Sequence, residues 1–378
     1  MKLLFVTGSR GEWGYIRPIL KICKETNIDY EILATNMHLL PQHGNTVEEI
    51  ISDGYEVKYK IHSTYDGANH FTMTKSMGSF IQSLVDIIEI STPDWIILAG
   101  DRYETVAASL AGSYTYTPTA HIQAGELSGN IDGIGRHVIG KLAHLHFASN
   151  PDAEDRLLKL GEEKFRVHNV GAPQLDEVYQ NKISEVNNVN KKYKIDLNND
   201  YFLVVLHPVT EEFDEITNQV DTLYKSLQKF NKDMVWILPN NDAGGYQISN
   251  YLKNNRKNNF KLFKNVPRED YLCFLRESNC LIGNSSSGIL EAPSFKIPVI
   301  NIGSRQEGRV RSENIIDVVN FSEKEITSAI DKASSKNFVK KLSNITNPYG
   351  DGNSSKKIID KLLEFKGHKD LLKKRITY

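Results

Sequence analysis

Lys2-Leu3-Leu4-Phe5-Val6-Thr7-Gly8-Ser9-Arg10-Gly11-Glu12-Trp13-Gly14 is the stretch on which the fold turns. An apolar run, Lys2–Thr7, meets a glycine-containing turn, and Pro18–Lys24 beyond it alternates apolar and charged residues at helical spacing. Strand, glycine loop and helix make the first unit of an α/β fold. The pattern recurs along the chain. Strands are predicted at Glu31–Thr35, Trp95–Ala99, Thr117–Gln123, Phe147–Ser149 and Val167–Val170, and helices at Phe80–Ile90, Glu104–Ser113 and Arg136–His146. Residues Gln180–Asp200 are rich in Asn, Lys and Ser and read as a linker or surface helix. The rhythm then restarts. Strands are predicted at Phe202–Leu206, Met234–Leu238, Leu262–Phe263, Cys280–Gly283 and Val299–Ile302. Helices follow at Glu215–Lys229, Tyr246–Asn254, Asp270–Ser278, from Ile289, and at Lys356–Phe365. Two blocks of alternating strands and helices predict two parallel-sheet domains facing across a cleft, residues 1–180 and 181–378, the second carrying the C-terminal helix.

Composition narrows the function. Of 378 residues, 40% are hydrophobic and 25% charged, which suits a packed globular chain and excludes disorder. Lys plus Arg number 46 and Asp plus Glu 47, so no basic excess points to nucleic acid or to an anionic membrane. Three cysteines, Cys23, Cys273 and Cys280, form no disulfide framework and no metal spacing, which favours a reducing compartment. No apolar run reaches the ~18 residues of a membrane span. A cytoplasmic protein is expected.

The chemistry concentrates where strands end. Gly283-Asn284-Ser285-Ser286-Ser287-Gly288 follows a strand and enters a helix, a setting in which backbone N–H groups and hydroxyls bind anions. A capped serine-rich turn would use the same residues. Glu291, one turn on, would repel a phosphate but suits ribose hydroxyls, and Arg305, Arg309 and Arg311 offer phosphate contacts. The loop Gly8–Gly14 runs G-x-x-G-x-x-G, neither the dinucleotide fingerprint nor a P-loop, and places Arg10 and Glu12 at a strand's carboxyl end. A surface ion pair is the plainer reading of those two. Gly100-Asp101-Arg102 holds a second such position, although Asp101 would also serve as a helix cap. His121-Ile122-Gln123-Ala124-Gly125-Glu126 holds a third, followed by Asp132, Arg136 and His137. Positions 137, 141 and 144 share a helical face. His137, His144 and His146 raise a metal reading, but no acidic partner stands at a metal-motif spacing and no metal is expected. His207-Pro208 ends the first strand of the second block and could be a turn histidine.

Taken in order, these segments resemble the hydrolysing nucleotide-sugar 2-epimerases. The match is carried by Thr7-Gly8-Ser9-Arg10 with Gly14-Tyr15 and Pro18, by Gly100-Asp101-Arg102-Tyr103-Glu104, and by Arg136-His137 through Lys141-Leu142-Ala143-His144. It continues through His207-Pro208-Val209-Thr210, Gly283-Asn284-Ser285-Ser286 to Glu291, and Pro298 to Gln306. Each motif is modest alone; the ordered set is specific. The resemblance implies two Rossmann-like domains in a glycosyltransferase-B-like architecture, usually as a homodimer. It implies elimination of UDP from UDP-N-acetylglucosamine to a glycal, then hydration to free N-acetylmannosamine, the entry to sialic acid synthesis, with no cofactor. It implies acidic catalytic positions at Asp101 and Asp132, with Arg136, His137, Gln123 and Glu126 in the same catalytic set. Nucleotide contacts are implied for Arg10, Arg102, His207, Ser285, Ser286, Glu291 and Arg305, with Glu12, Asn240 and Gly283 in the wider substrate set.

One position departs from the pattern. Family members carry a catalytic glutamate where this chain has Gln123, and Ala124 replaces a glycine. A carboxamide cannot act as a general base. Either Glu126 or a histidine takes that proton, or Gln123 orients groups. A hydrolysing 2-epimerase for a UDP-2,4-diacetamido-2,4,6-trideoxy sugar, of the legionaminic-type pathway, is therefore a rival. A non-hydrolysing UDP-N-acetylglucosamine 2-epimerase is another, opposed by Asp132-Gly133-Ile134-Gly135-Arg136 where those enzymes carry Pro-Glu-Glu. A nucleotide-sugar binding protein without turnover and a glycosyltransferase complete the set.

Overall fold

A computed structural model describes the chain apart from residues 42–43, 66–69, 129–130, 240–243, 256, 265 and 369. The chain divides into two compact units. One comprises Met1–Leu127, Ile131–Gln180 and Tyr349–Tyr378; the other covers Asn181–Pro348 together with Ser128.

The first unit holds β1 (Lys2–Thr7), β2 (Asp29–Thr35), β3 (Tyr59–Ile61), β4 (Trp95–Ala99), β5 (Thr119–Ala124), β6 (Leu145–Ala148) and β7 (Val167–Asn169) in one sheet. Their order is β3-β2-β1-β4-β5-β6-β7, with parallel neighbours throughout. Strands buried on both faces need apolar residues at every position, and the all-buried WIILA of β4 shows it. Alternate residues feed opposite faces. Leu3, Phe5, Trp95 and Ile97 join one core cluster, and Leu4, Val6, Ile96 and Leu98 the other.

The second unit repeats the plan. β8 (Tyr201–Val205), β9 (Asp233–Ile237), β10 (Phe260–Phe263), β11 (Cys280–Gly283), β12 (Val299–Ile302) and β13 (Ile315–Val318) run parallel in the order β10-β9-β8-β11-β12-β13. Phe202, Val204 and Trp236 pack on one face, and Leu203, Val205 and Val235 on the other. Both sheets thus have the Rossmann strand order. In each, the order reverses beside the first strand, between β1 and β4 and between β8 and β11. Ligands bind at the carboxyl ends of strands at such a switch point.

Two expectations are corrected. The C-terminal helix, Ser354–Glu364, belongs to the first unit, not the second. Its Ile358, Ile359 and Leu362 join the cluster of Ile16, Ile19 and Leu20. The Asp176 carboxylate accepts the Ser354 and Ser355 amides at 2.9 and 2.7 Å, capping the helix from across the chain. The helix expected at Arg136–His146 runs instead over Ile131–Leu142, and His146 lies in β6. His144 sits between them and shares no helical face with His137.

Candidate active site

In the first unit the loops after β1, β4 and β5 carry the polar residues. Ser9 caps the helix Arg10–Glu25, its hydroxyl accepting the Glu12 amide at 3.4 Å. Arg10 is the first residue of that helix and is partly exposed. Glu12 is turned inward rather than toward a ligand. It is 3% exposed and accepts from the Gly8 amide at 2.5 Å and Thr105 Oγ1 at 3.1 Å. Burial, with the Glu104 carboxylate beside it, pushes the Glu12 carboxyl up to about 8. Glu104 is equally buried and accepts from Asn36 Nδ2 at 3.0 Å and Arg102 Nε at 3.1 Å. Gly8 lets Glu104 come this close, because a Cβ there would overlap its carboxylate and force that side chain to shift. Sequence alone gives Glu104 no role; its burial beside Glu12 reveals one, as the anchor of Arg102.

Asp101 and Gln123 come together through one side chain. Arg136, 2% exposed, pairs its Nη2 with Asp101 and donates from Nη1 to the Gln123 carbonyl at 2.7 Å. A single guanidinium thus ties the β4 loop to β5. Gln123 has φ +59, a left-handed backbone that glutamine rarely adopts, at the irregularity where β5 slips register against β6. Its side chain is 1% exposed and Nε2 has no partner. Strain and an unpaired buried donor at one residue make Gln123 a candidate site residue.

Glu126 is committed elsewhere. Its Oε1 accepts from Ser149 Oγ and from Asn150 Nδ2, and Asn150 caps the helix Pro151–Lys159. Asp132 lies partly exposed in the first turn of Ile131–Leu142, one turn before Arg136, and His137 follows. His137 is partly exposed, and burial with Arg136 nearby lowers its pKa. Three further histidines of this unit, His121, His144 and His146, are structural. His121 Nε2 donates to the Gly100 carbonyl at 2.7 Å, His144 Nδ1 accepts the Thr119 amide at 3.0 Å, and His146 donates to Glu162 at 3.0 Å. Burial holds all three neutral, at about 3, 3 and 4. Among the described residues no cluster of three His, Cys, Asp or Glu is placed to hold a metal ion.

In the second unit the loops after β8, β11 and β12 converge. The Asn284 carboxamide accepts the His207 amide at 2.7 Å and donates to the His207 carbonyl at 2.8 Å, locking two strand ends together. The Asn284 carbonyl accepts from Arg305 Nη1 at 3.1 Å and Gln306 Nε2 at 2.9 Å. Gly283 has φ +134, and a Cβ there would overlap the Val205 carbonyl, so only glycine brings this loop so close to β8. Ser285 Oγ bonds Ser287 Oγ at 2.9 Å, and Tyr271 Oη reaches Ser287 as well. Ser286 stands at the start of the short helix Ser287–Leu290. Glu291 is 5% exposed; both Arg268 terminal nitrogens hold its Oε1 at 3.2 Å, while Oε2 has no partner. Arg268 was missed from sequence, since 23 residues separate it from Glu291 and no local spacing joins them. Arg311 is bound to Asp317 at 3.1 Å and to the Gln306 and Arg309 carbonyls, which makes it a loop brace. Asn240 lies outside the described residues.

Two Rossmann-like units, each with polar and cationic groups on switch-point loops, define an α/β enzyme of the nucleotide-ligand type. The family model for UDP-N-acetylglucosamine 2-epimerase matches residues 21–363. A Legionella pneumophila UDP-N,N'-diacetylbacillosamine 2-epimerase (hydrolyzing) is 35% identical over 100% of this chain and 99% of its own. A Neisseria meningitidis UDP-N-acetylglucosamine 2-epimerase is 31% identical over 88% of each chain. Among solved structures, the Neisseria meningitidis UDP-GlcNAc 2-epimerase bound to UDP-GlcNAc superposes with TM-score 0.82 at 22% identity, covering 96% of this chain and 100% of that one. The chain belongs to the UDP-N-acetylglucosamine 2-epimerase family, and it is a hydrolysing nucleotide-sugar 2-epimerase.

Proposed function

We propose that the substrate is a UDP-2,4-diacetamido-2,4,6-trideoxyhexose, converted with water to UDP and the free sugar inverted at carbon 2. The observation that carries the choice of sugar is the full-length similarity to the Legionella relative, whose name gives a substrate of that class. UDP-N-acetylglucosamine, giving N-acetylmannosamine, which the sequence motifs suggest, is the second reading, supported by the Neisseria relative.

In this reading the C1–oxygen bond to the diphosphate breaks with its electron pair leaving on UDP, while a proton leaves carbon 2 and a C1=C2 double bond forms. Water then adds hydroxyl at carbon 1 and a proton returns to carbon 2 on the opposite face. Asp101 and Asp132 move these protons. Gln123 cannot. Its buried, unpartnered Nε2 suits a neutral acceptor, and we assign it the carbonyl of the 2-acetamido group. Glu126, held by Ser149 and Asn150, keeps the β5 and β6 ends in place. Arg305 offsets the charge growing on the diphosphate, with Ser285, Ser286 and the His207 loop of the same unit around it; Arg10 and Arg102 are the cations on the first unit's loops. Glu291 Oε2 accepts from ribose hydroxyls, which accounts for a carboxylate beside an anion site. The first unit is the sugar side and the second the nucleotide side. A cytoplasmic homodimer completes the reading.

The test is a comparison of kcat/KM for the two UDP-sugars by phosphorus NMR of released UDP. A preference of about tenfold or more for the diacetamido sugar is expected, the scale by which a site that bonds the 4-acetamido group would reject the analogue lacking it. The reverse preference would return the enzyme to N-acetylglucosamine.

A further inference from the structure

The C-terminal tail reaches the helix that carries Asp132 and Arg136. Asp132, Arg136 and Gly140 are spaced four apart on Ile131–Leu142 and so share one ridge. The last four carbonyls of a helix have no partner within it. Here the Ile139 carbonyl accepts the Ala143 amide at 2.7 Å and the Leu142 carbonyl accepts Ser113 Oγ at 2.9 Å. The remaining two, of Gly140 and Lys141, both accept from Lys374 Nζ, at 2.8 and 2.9 Å. The same ammonium pairs with Glu162 Oε2 at 2.7 Å, and Glu162 Oε1 takes Lys141 Nζ at 3.2 Å.

We propose that Lys374 is a positioning residue for the epimerisation. Its ammonium closes the carboxyl end of Ile131–Leu142 and so fixes where Asp132 and Arg136 stand near the other end of that helix. This rests on the reading of Asp132 as a proton-moving group. A cation at a helix carboxyl end opposes the helix dipole, and here it also fills the two open acceptors. The tail does not depend on Lys374 for attachment. Leu371 is buried in the core of the first unit. The fully buried Arg166 donates to the carbonyls of Leu371 at 2.7 Å and of Asp370 and Lys373 at 3.1 Å, and the Thr377 amide bonds the Gly161 carbonyl at 3.2 Å. Losing the ammonium therefore frees the helix end while the tail stays docked. Burial lowers the Lys374 ammonium to about 8. The charges around it are Glu162 in attraction and Arg166 and Lys141 in repulsion, with His144 after the helix and His146 on β6 both neutral.

The test compares Lys374→Met and Lys374→Arg in the full chain, with kcat, KM, thermal melting and the pH profile. Lys374→Met is expected to lower kcat about tenfold with KM within about twofold, the signature of a displaced reacting group rather than lost binding. Lys374→Arg, which keeps the charge, is expected to restore most of kcat. The parent's kcat should fall above pH 8, and this limb should be absent in the arginine variant. If the methionine variant does not fold, Lys374→Gln serves in the same comparison. A kcat unchanged in the uncharged variant, a loss that arginine does not rescue, or an alkaline limb identical in parent and arginine variant would each overturn the proposal. Failure of the Asp132 reading shows separately, as turnover retained in Asp132→Asn.

Discussion

Gln123 shows how far a single residue departs from what its neighbours dictate. It has a left-handed backbone, a buried carboxamide and an unpaired donor, held beside an arginine that also grips Asp101. The residue type was visible in the sequence; the strain was not, because it arises from the register slip between β5 and β6. With proton transfer left to the aspartates, Asp132→Asn should abolish turnover and leave UDP affinity intact by calorimetry. Loss of UDP affinity instead would remove Asp132 from the chemistry. Glu12 makes a different prediction. Its carboxyl titrates near 8 when folded and near 4.5 in a model compound, so between those values the folded chain keeps a proton the unfolded chain has released. Stability falls as pH rises through that window, by at most about 1.4 kcal/mol per pH unit. Glu12→Gln removes this slope. Its melting temperature should exceed the parent's by a margin that widens from pH 5 to pH 8, and parallel melting curves would contradict the burial of a neutral Glu12.

At the scale of elements, the strands that build the site were legible because parallel strands are continuous apolar runs. Lys2–Thr7, Trp95–Ala99, Cys280–Gly283 and Val299–Ile302 were read with the bounds they have. Tyr59–Ile61 and Ile315–Val318, at sheet edges, were not. They are short and half-covered, so neither apolar content nor alternation sets them apart from a loop. The helix Ile131–Leu142 was read too far along the chain, as Arg136–His146. Ala143 is still apolar and buried, and nothing in its pattern signals that a strand begins two residues later. Pairings such as Arg268–Glu291 and Arg17–Glu177, the latter at 2.7 Å, join distant parts of the chain and leave no local trace. The Gly283 turn makes the element-scale prediction. Gly283→Ala forces a Cβ onto the Val205 carbonyl at a positive φ, at a cost of more than ~3 kcal/mol. Melting temperature and UDP binding should fall together, and a variant with parental UDP affinity would mean that the loop tolerates displacement.

For the whole molecule, the chain returns at its end to the unit in which it began. Apolar periodicity marks Ser354–Glu364 as a helix but cannot say which core its stripe joins. Deleting Tyr349–Tyr378 strips Ile358, Ile359 and Leu362 from the first unit's core. Residues 1–180 alone should therefore remain unfolded by circular dichroism, whereas 181–348 alone should fold and bind UDP. A folded 1–180 would show that this core is complete without the return. Within the intact enzyme, Arg305→Ala should weaken UDP by about tenfold or more, the worth of a charge-assisted contact.

The most direct measurement is combined proton and phosphorus NMR of the purified enzyme with the UDP-2,4-diacetamido sugar in deuterated water. Release of UDP together with the free 2-epimer carrying deuterium at carbon 2 is the expected result, since elimination exchanges that proton with solvent. A UDP-linked 2-epimer, or released sugar that keeps its original configuration and proton, would contradict hydrolytic epimerisation through a glycal.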